Sequence, residues 1–389
     1  MWSLPQPDSR EQLSWSSVTT ILLPSLACYY VCAILTIRLY PFYVRMSFLP
    51  VTLGMLYRCA VSLDMSYTDG SQNDCFNYRN ETLLVCHPHF FAVLTFLGMR
   101  AIAWTFAAIA PKRLDSKKPS AVQLCFTGRY HEWNWCSGLH VPAEWRPTNS
   151  RNMFILATLA SQVLHTVIFD SLHFHLQSLS PNTFGSPAGG TIFPVNGVPN
   201  LRSTYITFLS GMVLYSAIQS AHDACAVFCI LFFQQNPAQW PPLFDHPWHS
   251  TSLNRFWAKG WHQMFRHEFI SLGGRPLYAL GFGRTGAVLG VFTASSILHL
   301  LSHWGLGRGS EWSTIGGYFI IQGVGVVLEG IWKKITGRRV GGILGWIWTV
   351  AWVVGWGNIM MDAWARAGLM GSMFFPDGMR PVDVMKKLL

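Results

Sequence analysis

Two segments carry histidines in positions that suit chemistry. His262 lies in the basic, tryptophan-rich segment SLNRFWAKGWHQMFR of residues 252–266, and His299 lies in the apolar segment 285–304, which contains SSILHLLSHW. An ionisable side chain in a segment long enough to cross a bilayer is costly there and usually faces a cavity or a pathway. We therefore take these two segments as the candidate functional site.

On a helical wheel, the segment around His299 has a polar stripe. The stripe consists of Ser295, Ser296, His299, Ser302 and His303. The low dielectric of a bilayer favours the neutral imidazole, which accepts a proton and so suits a general base. The alternative is a structural histidine that donates a hydrogen bond to a neighbouring helix. A metal site is not expected, because no carboxylate lies between His299 and His303.

The basic segment predicts an amphipathic helix over residues 252–266, with Ser252 as its N-cap. The predicted polar face carries Arg255, Lys259, His262 and Arg266. In one interpretation the helix lies at the membrane surface and its cations meet anionic lipid headgroups. In the other, the cations bind the phosphates of a cytosolic cofactor and hold His262 over its reactive end. The cofactor-binding residues are then Arg255, Lys259, Gln263, Arg266, Trp257 and Trp261.

The composition is that of a polytopic membrane protein, since 50% of the 389 residues are hydrophobic and 12% are charged. A span needs roughly 20 mostly apolar residues. Candidate spans lie near residues 18–37, 47–63, 90–110, 153–170, 203–233, 285–304, 316–332 and 341–361. The segment 203–233 is too long for one span unless it includes an interfacial turn.

We therefore expect an all-α, polytopic transmembrane protein that forms a single membrane-embedded domain over residues 1–389. It should have about seven to nine spanning helices. Amphipathic interfacial helices are expected in two cytosolic segments, residues 111–151 and 234–284, which are rich in Trp and in basic residues.

The net charge of +10 lies in the connections between the apolar segments, so it indicates membrane sidedness and not nucleic-acid binding. The acidic connection 64–82 ends in the glycosylation triplet that begins at Asn80, and it is expected in the lumen. Lys386 and Lys387 resemble a dilysine retrieval signal, which implies the endoplasmic reticulum. Seven crossings would leave these lysines in the lumen, whereas the signal requires the cytosol.

The pattern FW-x-x-x-WHQ-x-F of residues 256–265, followed 36 residues after Gln263 by His299, resembles the wax synthase branch of the membrane-bound O-acyltransferases. It is most similar to the fungal members that acetylate terpenoid and meroterpenoid alcohols. The segment TGRYHEWNW, residues 127–135, resembles the Trp-rich cytosolic segment of that group, so that the resemblance covers most of the chain.

The resemblance implies an acyl-CoA-dependent O-acyltransferase with His299 as the catalytic base. It places His262 where related enzymes carry a second polar residue, often Asn. In wax synthases Glu commonly follows the histidine, whereas Leu300 follows it here. This departure weakens the case for a long-chain wax substrate and leaves the base intact.

The functional hypothesis is therefore an O-acetyltransferase with acetyl-CoA as co-substrate and no permanently bound cofactor. Its acceptor is a lipophilic alcohol that reaches the site from the membrane lipids. One alternative is a synthase of wax or sterol esters that uses long-chain acyl-CoA. An alternative from another class is a membrane transporter, in which His299 and Glu329 would line the pathway. The identity of the alcohol and the acyl chain length stay open.

Overall fold

The computed structural model describes residues 10–64, 86–115, 117–375 and 378–388, and in these residues the predicted all-α class is confirmed. The helices are α1 (Trp15–Ile37), α2 (Phe42–Ser62), α3 (Cys86–Thr105), α4 (Ala121–Phe126), α5 (Arg151–Ser178), α6 (Leu201–Phe232), α7 (253–260), α8 (266–282), α9 (Gly283–Trp304), α10 (Trp312–Thr336), α11 (Gly342–Arg366) and α12 (Pro381–Leu388). The short parallel pair β1 (Glu11–Gln12) and β2 (Leu63–Asp64) accompanies them.

Among the described residues, six helical stretches are long and apolar enough to cross a membrane, so the chain is an integral membrane protein. They are α1, α5, α6, the continuous stretch Arg266–Trp304, α10 and α11. The helices α2 and α3 have 21 and 20 residues. Each of the eight predicted spans overlaps one of these helices, and α6 is one uninterrupted helix of 32 residues. The number of crossings stays a prediction, and Asn80 lies outside the described residues.

The stretch Arg266–Trp304 is a hairpin of two helices, α8 and α9, which meet at a kink. At the kink Gly281 has a φ of 91°, in the left-handed region that favours glycine. The two arms pack against each other so closely at Gly273 and Gly290 that a Cβ on either would collide with the carbonyl oxygen of the other. Glycine thus makes both the turn and the close packing possible.

The hairpin adds detail to the predicted interfacial segment 234–284. From residue 266 onward this segment is a helical arm packed along α9, and its position relative to the membrane stays a prediction. Arg266 therefore begins α8, Phe282 ends it about 24 Å away at 1.5 Å per residue, and Arg284 follows at the start of α9. The number of basic residues could not reveal the turn between α8 and α9, because that turn depends on the positive φ of glycine and not on charge.

The helices group into two compact units. The first comprises residues 1–139 and 264–328. In its core Tyr29 of α1 stacks on Trp104 of α3, with the ring centroids 4.9 Å apart, and both side chains are buried. The TGRYHEWNW segment joins this core through Tyr130 and Trp133. Burial of these large aromatic rings supplies much of the stabilisation within the unit.

The second unit comprises residues 140–263 and 329–389. Its α5 and α6 form an antiparallel pair, joined by hydrogen bonds from Ser161 to Asp223 and between Thr166 and Ser220, each 2.7 Å long. α11 packs on α6, and α12 packs on α5. The polar pairs satisfy side chains that would otherwise be buried without partners.

Candidate active site

His299 lies on α9 and is oriented by contacts to its own helix and to α10. Its Nδ1 is 2.8 Å from the carbonyl oxygen of Ser295, and its ring stacks on Phe319 with the centroids 4.0 Å apart. A carbonyl oxygen can only accept a hydrogen bond, so Nδ1 carries the proton and Nε2 keeps its lone pair. In the part of the chain that the structure describes, Nε2 of His299 makes no hydrogen bond.

Two of the three hydroxyls of the polar stripe are occupied by backbone groups, and the third, that of Ser295, lies 3.5 Å from Nδ1 of His299. Ser296 donates to the carbonyl oxygens of Phe292 and Gly316, each at 2.9 Å, and Ser302 donates to that of Pro88 at 2.7 Å. These bonds fix α9 against the neighbouring chain segments. Ser296 and Ser302 are thus held by structural hydrogen bonds, whereas the orientation of His299 suits proton transfer.

A cavity of the first unit lies on the other side of α9. It has a volume of about 560 Å³ and is lined by apolar residues of α2, α3, α8 and α9. The residues of α9 that line it include Thr293, Ile297 and Leu301, which lie on the face opposite His299 at 100° per residue. The cavity and the candidate base thus occupy different faces of one helix.

The predicted helix over residues 252–266 is wrong in its extent. Ser252 caps the helix as predicted, since its hydroxyl accepts the N–H of Arg255 at 3.0 Å, but the helix ends at Gly260. There the carbonyl of Gly260 accepts the N–H of Asp245 at 3.0 Å, and Trp261 turns to an extended conformation. The periodicity of the segment could not reveal that the helix ends at Gly260, because the contact made there is with Asp245, which lies outside the segment.

Gln263 has a structural function that the sequence did not indicate. Its side-chain Nε2 donates to the carbonyl oxygens of Trp257 and Trp261, at 2.8 and 2.9 Å, and the residue is buried. These bonds satisfy carbonyls at the C-terminal end of α7, which lack partners inside the helix. They also fix the loop that carries His262.

The cations of α7 remain accessible. Lys259 is exposed, and the Arg255 side chain is 37% exposed, with its guanidinium 3.9 Å from the Asp245 carboxylate. Asp245 also receives a hydrogen bond of 2.8 Å from His140. A partly exposed guanidinium beside an exposed ammonium group is suited to phosphate recognition.

Aromatic rings surround His262 in the loop after α7. Its ring lies 5.9 Å from that of Phe244 and 5.6 Å from that of Trp261. Trp261 in turn stacks on Phe256 at 5.7 Å, and Phe256 contacts Trp257 at 5.0 Å. The FW-x-x-x-WH pattern therefore forms one aromatic cluster that holds His262 in place.

The predicted site residues fall in both units. His262, Gln263, Arg255, Lys259 and the two tryptophans belong to the second unit, whereas His299 and Arg266 belong to the first. Arg266 donates to the carbonyl oxygen of Ser137 at 3.2 Å. That the two histidines act in one site stays a prediction.

Glu329, which the sequence singled out only for the transporter alternative, holds the start of α7 in the second unit. It is buried, and its carboxylate accepts the backbone N–H groups of Leu253 and Asn254, at 2.6 and 3.0 Å, and the indole N–H of Trp348 at 3.1 Å. Glu329 thus binds the first turn of α7 from 75 residues away.

A buried polar network organises the first unit. Arg100 and Trp104 both donate to the Tyr130 hydroxyl at 2.9 Å, and that hydroxyl donates to Glu268 at 3.1 Å. Arg100 also pairs with Glu268 at 3.4 Å. Burial raises the pKa of the Tyr130 phenol well above its ordinary value, so the hydroxyl stays protonated and can donate. This network explains why a Trp- and Tyr-rich segment follows α4.

Among the described residues, no group of three or more His, Cys, Asp and Glu side chains is placed to hold a metal ion.

Residues 240–321 match the family model described as the membrane bound O-acyl transferase family, and this range contains both histidines. The chain is similar to acetyltransferase eriL of Hericium erinaceus, with 24% identity over 261 residues, 61% of this chain and 64% of that protein. It is 27% identical to acetyltransferase ataH of Aspergillus terreus over 233 residues, 52% of this chain and 75% of that protein.

The chain is also similar to an acyltransferase from a plant. The long-chain-alcohol O-fatty-acyltransferase of Simmondsia chinensis is 27% identical over 106 residues, which cover 25% of this chain and 30% of that protein. The chain thus spans less than two thirds of the length of eriL, and a smaller share of the plant protein. These matches confirm the resemblance that the sequence motifs indicated.

Proposed function

We propose that this chain, which is similar to the membrane bound O-acyl transferases, is an O-acetyltransferase that acetylates a hydroxyl group of a lipophilic secondary metabolite. The acyl donor is acetyl-CoA, and the acceptor reaches the enzyme through the membrane. The observation that supports this proposal most directly is the orientation of His299, whose Nδ1–H is held by a backbone carbonyl while Nε2 keeps a lone pair.

In the proposed mechanism, Nε2 of His299 removes the proton from the acceptor alcohol. The alcohol oxygen forms a bond to the thioester carbon, and the C–S bond of acetyl-CoA then breaks. The proton on Nε2 passes to the departing sulfur, so the products are the acetyl ester and CoA. A general base of this kind contributes roughly 100- to 10,000-fold to a rate.

The second unit supplies the donor-binding groups in this proposal. Arg255 and Lys259 bind the phosphates of CoA, and the tryptophans Trp257 and Trp261 contact the remainder of the donor. His262 donates a hydrogen bond to the tetrahedral oxyanion, a contact worth about 3 to 4 kcal/mol in other enzymes. Arg266 and Gln263 are engaged by backbone carbonyls, which favours a supporting function for both.

The choice of acetyl over longer acyl groups rests on the relatives. The two fungal proteins are named as acetyltransferases, whereas the plant protein acts on long-chain alcohols with fatty acyl groups and matches a shorter part of the chain. Transfer of a fatty acyl group is therefore the second candidate, and the donor assay includes it.

The proposal is tested with microsomes that contain the full chain, incubated with labelled acetyl-CoA and a panel of hydroxylated terpenoids, or with labelled oleoyl-CoA and the same panel. We expect labelled acetyl esters from the wild type. His299→Ala and the bulkier His299→Asn should both form less than about 1% of the wild-type ester, as expected for loss of a general base.

His165→Ala is the matched control, because Nδ1 of His165 makes the same 2.8 Å contact to the carbonyl of the residue four positions earlier, Ser161. This variant should retain activity. Normal turnover by either His299 variant would refute the assignment of the base, and oleoyl transfer without acetyl transfer would favour the second candidate.

A further inference from the structure

The structure holds one short helix in place through a buried carboxylate, and we propose that this carboxylate, Glu329, is a positioning residue for acetyl-CoA binding. Glu329 touches neither substrate in this proposal. It sets the direction in which α7 presents Arg255 and Lys259. The inference rests on the proposed function and names a determinant of donor affinity within it.

The first argument is the completeness of the N-terminal cap. A helix leaves its first N–H groups without partners inside the helix. In α7 the N–H groups of Leu253 and Asn254 are accepted by the two oxygens of Glu329, and that of Arg255 is accepted by Ser252. A carboxylate at this end also interacts favourably with the helix dipole.

The second argument is the length of α7. Eight residues make little more than two turns, and isolated helices that short are marginal in water. Its orientation must therefore come from the contacts that hold it. Because Glu329 binds both of the first two N–H groups, it fixes where the helix begins and how it is rotated about its axis.

The third argument is that α11 holds the same segment beside Glu329. Trp348 donates its indole N–H to Glu329 at 3.1 Å, and Trp346 donates to the carbonyl of Trp248 at 2.8 Å. A Cβ on Gly345 would collide with the carbonyl oxygen of Thr251, so α11 passes close to the backbone that leads into α7. The carboxylate thus joins α7 to two helices, α10 and α11.

The test is the kinetics of Glu329→Gln in microsomes that contain the full chain. The amide has nearly the same size but turns one acceptor oxygen into an NH₂ group, which leaves a backbone N–H of α7 without an acceptor. We expect the KM for acetyl-CoA to rise roughly tenfold, because α7 loses one of the hydrogen bonds that orient Arg255 and Lys259, a contact worth on the order of 1 kcal/mol or more. The KM for the alcohol should change by less than about twofold, because the alcohol does not contact α7 in this proposal.

Asp362→Asn is the matched control. The Asp362 carboxylate is also buried in the second unit and accepts a backbone N–H, that of Ile192, at 3.0 Å. A loss of folded protein alone would lower the maximal rate and leave both KM values unchanged. We expect that behaviour for Asp362→Asn and a selective rise in the acetyl-CoA KM for Glu329→Gln.

The double variant Glu329→Gln with Lys259→Ala tests whether Glu329 acts on the KM for acetyl-CoA through the cations of α7 or independently of them. Because Glu329 directs both Arg255 and Lys259 in this proposal, the loss in the double variant should be clearly smaller than the product of the two single losses. Fully multiplicative losses would overturn the inference. If Glu329→Gln does not accumulate in the membrane, Trp348→Phe decides the question, because it removes one donor to the carboxylate and should raise the same KM by about threefold.

Failure of the inference and failure of the proposed function give different results. A wild-type chain that forms no labelled ester from any donor and acceptor of the panel would overturn both. A wild type that is active, together with a Glu329→Gln variant whose acetyl-CoA KM is unchanged, would overturn only the positioning function of Glu329.

Discussion

At the scale of single residues, the candidate site depends on which polar atoms the backbone already occupies. Ser296 and Ser302 are tied to backbone carbonyls, and the amide donors of Gln263 are also used within the fold. Nε2 of His299 and the ammonium group of Lys259 are among the groups that bind substrates in our proposal. Residue type alone could not distinguish side chains bonded within the fold from side chains that bind substrates, because the sequence shows which residues are polar and not their hydrogen-bond partners.

The ammonium group of Lys259 provides a test of donor binding. Lys259→Ala should raise the KM for acetyl-CoA roughly tenfold, because one charge-assisted hydrogen bond to a phosphate would be lost. Steady-state kinetics with varied acetyl-CoA measure this. Lys334→Ala removes an exposed lysine near the end of α10 and serves as the control. An equal effect of the two substitutions would show that the total charge of the protein matters and not the position on α7.

At the scale of secondary structure, the α8–α9 hairpin positions the segment that carries His299. Its arms touch at Gly273 and Gly290, where neither helix has room for a side chain. The apolar periodicity of the chain predicted α9 within a few residues of its observed bounds, whereas α8 was not predicted as a separate helix. A turn that depends on two positive-φ glycines leaves no trace in hydropathy, and Arg266, Glu268 and Arg275 interrupt the apolar pattern of α8.

Gly290→Ala tests the hairpin packing. The added methyl group would collide with the Gly273 backbone, so we expect a destabilisation of about 1–3 kcal/mol and a lower thermal unfolding midpoint of the detergent-purified protein. The control is Gly54→Ala in α2, where an added Cβ meets nothing within 4 Å. That substitution should be neutral or slightly stabilising, since alanine is the better helix former. Equal midpoints for the two variants would argue against close contact between the arms.

At the scale of the whole molecule, sidedness stays a prediction to which the structure adds constraints. The basic connections predict which loops are cytosolic, and because α8 runs antiparallel to α9, residues 266 and 304 lie at the same end of the hairpin. At the C-terminus, α12 packs on the last turns of α5: Arg380 pairs with Asp170 at 2.9 Å, and Lys386 lies over the ring of Phe174. The predicted dilysine signal thus lies in a docked helix beside the connection 179–200.

This docking predicts that α12 and the connection 179–200 lie on the same side of the membrane. Asn-x-Thr acceptor sites can be introduced one at a time within residues 193–198 and just after residue 388. Because glycan transfer occurs only in the lumen, both sites should be modified or both should stay unmodified. A mobility shift on gels, reversed by a glycosidase, measures the outcome. Modification of one site alone would contradict the docking of α12 on α5.

The apolar cavity beside α9 has a consequence for inhibition. Water gains little in a space lined almost entirely by hydrocarbon, so a cavity of about 560 Å³ in a membrane protein favours apolar guests. Such a compound would contact Thr293 and Ile297 and not His299, since these side chains occupy opposite faces of α9. An apolar compound bound there would leave the His299 face of α9 unoccupied, so we expect any inhibition by it to be noncompetitive with both the donor and the alcohol.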